Sequence, residues 1–197
     1  MSRAPLFVGL TAVIVAVIRS GKAEASAPDE DSTREDFAET DLGEPSVLFE
    51  ALDVPYSWGA GTPATPWPTG EPGYNSETNK REGPDGWDCS GFAQAGLVRL
   101  GLLDRTSPDR TAQGLFEVAE PITSELDARE GDLAFYGSSD RSITHVMLIS
   151  GPFIDGGLPV VGASGGGSST FGTDPNARVK RFADVEYRGD LVGLGRI

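Results

Sequence analysis

The chain has 197 residues, of which 38% are hydrophobic and 23% charged, with 16 Lys and Arg against 30 Asp and Glu. That length suits one ordinary domain with a short appendage rather than two full domains, and the apolar fraction is enough for a core. A formal net charge of -14 repels nucleic acid phosphates and anionic membrane surfaces, which excludes nucleic acid as a partner.

Arg3 precedes an apolar stretch over residues 6–18, and small residues surround Ala23 and Ala25, the layout of a secretory signal peptide. As a helix rising about 1.5 Å per residue this stretch covers about 20 Å, short of the roughly 30 Å hydrocarbon core. Residues 1–25 therefore read as a leader cleaved after Ala25, with a short N-terminal anchor as the alternative because Arg19 and Lys22 follow the apolar run. No stable membrane partner is expected beyond it. The segment has no cysteine, so a lipid-modified cysteine at a processed N-terminus is excluded. Residues 26–44, crowded with Asp, Glu, Ser and Thr, read as a disordered acidic linker, and one domain is expected over residues 45–197.

Order is expected to begin near Pro45, where Val47, Leu48, Ala51 and Leu52 recur at helical spacing until Pro55 ends the helix. A tight, glycine-assisted segment over 56–61 follows. Residues 61–86 carry many prolines and glycines and no hydrophobic period, and read as a long functional loop, with Trp67 and Tyr74 in one wall of a cleft. A helix is predicted from Cys89, with Phe92, Ala95, Leu97 and Leu100 on its apolar face, Asp88 or Ser90 as cap, and Gly101 near its end. A second is predicted after Ser107 as N-cap, with Leu115, Phe116 and Val118 buried. Short apolar runs over 132–136, 143–150 and 158–163, and weaker ones near Val179 and Val185, then read as strands. Helices first and strands afterwards predict an α+β domain with helices packed on an antiparallel sheet.

Cys89 is the only cysteine and His145 the only histidine. In an exported chain a single cysteine has no internal disulfide to make. At the first turn of a helix its thiol faces unpaired backbone N–H groups, which favour the thiolate, and an imidazole partner would favour it further. The Cys89 amide would then supply half of an oxyanion hole. Against this, a lone Cys in an apolar helix is most often packing, and a lone His in a strand most often a satisfied core residue. One Cys and one His cannot fill a tetrahedral metal shell, and no metal or organic cofactor is implied.

The segments PYSWGAGTP, GWDCSGFAQ, REGDLAFYG and ITHVMLISG, in that order, closely resemble the NlpC-like family of bacterial cell-wall cysteine peptidases, which have a reduced papain-like fold. The resemblance implies a papain-like α+β core, Cys89 as nucleophile, His145 as base, and Tyr56 completing the oxyanion site or holding substrate. Asp88 and Ser90 match positions that in some members bind the free amine of a stem peptide, helix capping being the equal alternative. For Tyr56 and Trp58 the alternative is aromatic packing. Where the family has a polar residue orienting the imidazole, this chain has Gly162, with Ser164 as the nearest polar substitute. The GASGGGSST run lacks the Lys of a nucleotide loop and reads as a flexible loop at the cleft edge.

The function expected on that basis is an exported thiol hydrolase, periplasmic or extracellular, cleaving an amide in peptidoglycan stem peptides by the D-glutamyl-diamino acid endopeptidase route. Two alternatives stand beside it: a catalytically impaired wall-binding or virion-associated module, and a thiol amidase or acyltransferase on the same fold. The segments ARVKRF and EYRGDLVG are similar to the tails of some phage-borne members, the ground for a virion-associated alternative.

Overall fold

The computed structural model describes residues 46–197; the leader expected over 1–25 and the linker expected over 26–44 lie outside the described residues. Ser46 caps a 3-10 helix, Val47–Ala51, through its side chain, and Leu48 and Ala51 are the residues it buries. After a hairpin of β1 (Glu71–Asn75) and β2 (Lys80–Gly86) come α1 (Cys89–Arg99) and α2 (Ala112–Phe116). The remaining strands are β3 (Glu120–Ile122), β4 (Leu133–Ser139), β5 (Ser142–Ile149), β6 (Val160–Ser164), β7 (Arg178–Phe182) and β8 (Leu191–Arg196). Among the described residues no helix is long and apolar enough to cross a membrane.

The last six strands form one antiparallel sheet in the order β3-β8-β4-β5-β6-β7, the expected α+β architecture. Its middle strands are buried on both faces, so they read as continuous apolar runs rather than as alternation. Leu133, Phe135, Val146, Leu148 and Val161 pack toward α1 with Phe92 and Leu97. Ala134, Tyr136, Met147, Ile149 and Val160 face the other way, toward Leu158 and Val185. Gly96 lets α1 approach β5 closely, since a Cβ there would lie 2.5 Å from Leu148 Cδ1.

Helix α1 begins at Cys89 because Asp88 is extended and its carboxylate accepts from the Gly91 amide. It ends at Leu100 because Gly101 turns left-handed at φ 74 and the Leu102 amide reaches back to the Leu97 carbonyl at 2.8 Å. Helix α2 starts later than expected: Thr111 rather than Ser107 is its cap, and Val118 falls beyond its end, exposed. Three further expectations are corrected. Residues 61–86 contain the β1–β2 hairpin, invisible to periodicity because EPGYN and KREGPDG expose most of their residues and have almost no apolar side chains to alternate. The segment near Val185 is a 3-10 turn, Val185–Tyr187, started by the Asp184 side chain. Strands β3 and β8 escaped notice because one is a three-residue edge with Pro121 and the other is interrupted by Gly193 and Gly195.

One close backbone approach positions everything at the start of α1. A Cβ at Gly91 would lie 2.2 Å from the Ala60 carbonyl oxygen and 2.8 Å from Gly61 Cα, both backbone atoms that cannot yield. Gly91→Ala is expected to destabilise the domain by about 2–3 kcal/mol in a urea titration, whereas Gly193→Ala, with nothing within 4 Å, changes it by less than about 0.5 kcal/mol. Equal effects at the two positions would refute the packing argument.

Candidate functional site

Two pieces of chain meet at the N-terminus of α1. The Ser57 amide donates to the Trp87 carbonyl at 3.0 Å, the Trp87 amide to Pro55 at 3.0 Å, and the Asp88 amide to Ala60 at 3.0 Å. These bonds set Tyr56 beside Trp87 in a parallel bridge, two residues before Cys89. Trp87 is fully buried and donates its indole N–H to the Pro68 carbonyl at 2.8 Å, so the segment before the thiol is pinned from both sides. Asp88 Oδ1 accepts from the Gly91 amide at 2.6 Å and from Ser90 Oγ at 3.0 Å. Asp88 is thus the cap, and Ser90, inside the first turn, donates to its carboxylate.

His145 stands on β5 opposite Tyr136 of β4, the ring centroids 5.6 Å apart. Its Nε2 hydrogen-bonds to Tyr187 Oη at 3.2 Å, and Tyr187 is held by stacking on Phe182 at 3.8 Å. Tyr136 and Tyr187 belong to the apolar cluster on the sheet face away from α1, whereas Cys89 belongs to the cluster beneath α1. Among the described residues no side-chain hydrogen bond joins Cys89 to His145, although both line one cavity of about 220 Å³ with Tyr56, Thr144, Ser164 and Arg188. A second cavity of about 610 Å³ shares Tyr56, Trp58, Cys89 and Thr144 and runs on past Asp88, Ser90, Asp109 and Arg110. Together they form a cleft that passes over the thiol.

The residue that hydrogen-bonds to the imidazole, Tyr187, is one the sequence did not single out. A side chain at Gly162 would meet Met147 Cγ at 3.1 Å, so that place is filled by the neighbouring strand's methionine. Ser164 lines the smaller cavity, and Tyr187, from a turn 42 residues after the histidine, touches the imidazole. Spacing alone could not have found Tyr187. The EYRGDLVG segment carried the only signal, a Tyr and Arg followed by Asp in an otherwise weak stretch. Arg188 makes a two-pronged ion pair with Asp190, both contacts at 2.7 Å. Tyr56 is buried, and Gly166 has no side chain because a Cβ there would lie 2.0 Å from the Tyr56 ring. The glycine run at the cleft edge therefore packs against the aromatic wall.

Burial dominates the electrostatics. It pushes the Cys89 thiol up to about 12, with the Asp88 carboxylate adding to the rise. It pushes the His145 imidazole down to about 3, with Arg188 acting in the same direction. Asp88 is raised to about 6 by burial, against the pull of its hydrogen bonds from Gly91 and Ser90. Tyr56 is raised by burial and by the negative neighbours Cys89 and Asp88. Both shifts favour the uncharged forms, the protonated thiol and the neutral imidazole. Among the described residues no cluster of three or more His, Cys, Asp or Glu is arranged to hold a metal.

A family model described as NlpC/P60 family matches residues 53–160. The P60 domain of an antigen from Mycobacterium avium subspecies paratuberculosis superposes with a TM-score of 0.50 at 23% identity, over 76% of this chain and 87% of that one. RipD from Mycobacterium tuberculosis superposes with a TM-score of 0.50 at 21% identity, over 76% of this chain and 91% of that one. That protein is described as a non-catalytic NlpC/p60 domain protein adapted to peptidoglycan binding. No curated protein matches the chain by sequence. The expectation of a cysteine peptidase is corrected: the fold occurs in a protein described as non-catalytic, and here burial favours the uncharged forms of both the thiol and the imidazole.

Two measurements follow from the charge states. Alkylation of Cys89 by iodoacetamide at pH 8 is expected to be roughly a thousandfold slower in the folded protein than in urea, because a thiol near 12 rather than 9.0 holds that much less thiolate; labelling as fast as free glutathione would contradict it. The imidazole is lowered from 6.5 to about 3, so the folded state binds fewer protons than the unfolded one between those values. Its contribution to stability is complete above about pH 6.5 and lost as pH falls toward about 3. Asp88, raised from 3.8 to about 6, works the opposite way, its contribution lost as pH rises between those values. Urea titrations of His145→Gln are therefore expected to show less acid destabilisation between pH 6.5 and 4 than the unaltered protein; parallel curves would contradict this.

Proposed function

Because the chain belongs to the NlpC/P60 family, we propose that it binds the stem peptides of peptidoglycan without cleaving them. The observation that carries this reading is a cleft lined by the motif residues over a thiol and an imidazole whose uncharged forms burial favours. Peptidoglycan as the ligand is supported by RipD, which shares the fold and is described as having adapted to that role.

In this reading Cys89 and His145 form the floor of the cleft rather than its chemistry. Asp88 is the residue suited to a peptide amine. Raised only to about 6, it is largely ionised at neutral pH, and one oxygen serves the helix cap while the cleft side of the group faces the larger cavity. Ser90 keeps that carboxylate in place, and the rigid Tyr56 ring supplies a wall. A ligand made of peptidoglycan puts the protein outside the cytoplasmic membrane, in agreement with the leader-like residues 1–25.

Incubation of the full chain with purified peptidoglycan tests the proposal. The protein is expected to sediment with the insoluble wall, and the supernatant to contain no released peptide or muropeptide fragments by mass analysis. Release of fragments that stops in Cys89→Ala would refute the binding-only reading, and failure to sediment would refute peptidoglycan as the ligand.

A further inference from the structure

Among the described residues only two aromatic side chains are exposed, Trp58 at 41% and Tyr74 at 40%, and both line the larger cavity. Every other aromatic ring is at least partly covered, and Trp87, Phe92, Phe135 and Tyr136 are fully so. Single exposed apolar residues need no explanation, but two exposed aromatic side chains, on residues joined through their backbones and lining one cavity, are a surface kept for a ligand.

The wall is built to hold them. The Tyr74 amide donates to the Trp58 carbonyl at 2.8 Å, and the Gly73 amide donates to the buried Ser57 hydroxyl at 3.0 Å. Arg81, on the facing strand, donates to the Pro72 carbonyl at 2.8 Å and pairs with Glu71 at 2.9 Å. The Tyr74 hydroxyl donates to Asn79 at the hairpin turn, which fixes the ring from its far end. The β1–β2 hairpin is thereby fastened to the segment that leads to the thiol, and its ring is set in place before any ligand arrives, which lowers the ordering cost of binding.

The geometry points to a saccharide subsite on this wall, where Tyr74 and Trp58 stack against the C–H faces of pyranose rings and the polar rim, with Arg81, Asp109 and Arg110, meets the hydroxyls. A planar apolar face edged by hydrogen-bonding groups is what a sugar ring presents on its own two sides. A nucleic acid base would stack as well, but a net charge of -14 repels its phosphates. The cavity of about 610 Å³ is nearly three times the 220 Å³ beside His145 and falls within the usual range for a small ligand. Resting on the reading of the preceding subsection, the ligand is a stem peptide still joined to its amino sugar rather than a free peptide.

Calorimetry or fluorescence titration of the full chain with a disaccharide-tetrapeptide and with the matching free tetrapeptide separates the two claims. The sugar-linked ligand is expected to bind at least tenfold tighter. Tyr74→Ala is expected to lower its affinity about tenfold more than that of the free peptide, while Tyr74→Phe, which keeps the stacking face, retains most of the preference. Equal affinities for the two ligands, or loss of the preference in Tyr74→Phe as in Tyr74→Ala, overturn the saccharide subsite and leave peptide binding standing. Absence of binding by both ligands overturns the peptidoglycan reading and the subsite with it.

Discussion

The site depends on a backbone clasp. Residues 55–60 hydrogen-bond to Trp87 and Asp88, and the clasp closes only because Gly61 and Gly91 bring no side chain into the gap. Gly61 sits at φ 97 against the Trp87 ring, a left-handed conformation that a β-carbon would resist, and Gly91 lets α1 start against the Ala60 carbonyl. From this clasp follow the position of Tyr56, the direction of α1 and the place of its first residue. The hairpin is tied to the same segment through Ser57 and Trp58, so both cleft walls share one support.

The same clasp decides the charge state of the thiol. A helix N-terminus favours an anion by about 0.3–1 kcal/mol, up to about 2 in a partly buried setting, which is around one pK unit in the direction of the thiolate. Burial works against it and wins, taking the thiol from 9.0 up to about 12. The imidazole that would have compensated is drawn into a different set of contacts, with Tyr136 at its side and Tyr187 on Nε2. Two groups that a nucleophilic mechanism requires to exchange charge are each stabilised in the neutral form by the apolar layers on either side of one sheet. The cleft above them stays open to a ligand, which is the ground for proposing recognition without turnover.

Much of the fold was legible in the order of patterns along the chain. Helix α1 announced both ends, with Asp88 before it and Gly101 after it, and strands β4 to β6 stood out as apolar runs because both of their faces are covered. What was not legible shares one cause, a lack of apolar side chains to mark the period. The β1–β2 hairpin is held by backbone bonds and by Arg81 and Glu71, β8 contains two glycines, and the cap of α2 falls on Thr111 although Ser107 and Pro108 form the better local signal. Within the site, the sequence singled out Tyr56, Asp88, Cys89, Ser90, His145 and Ser164, which all line the cleft, and Gly162, where Met147 fills the space a side chain would take. Tyr187 was hidden because it arrives from a turn far along the chain and touches the imidazole only through tertiary packing.

By itself, then, the sequence determined the class of fold, the family, and several of the residues that line the cleft, since these rest on local capping, on hydrophobic period and on ordered motifs that act over short distances. Only the tertiary structure decided what those residues can do. Protonation depends on how much water remains around a group, and that is set by which apolar layers close over Cys89 and His145, a property of residues scattered from Leu48 to Tyr187. The partner of the imidazole, the filling of the space at Gly162 by Met147, and the exposed pair Trp58 and Tyr74 are likewise outcomes of packing between distant segments.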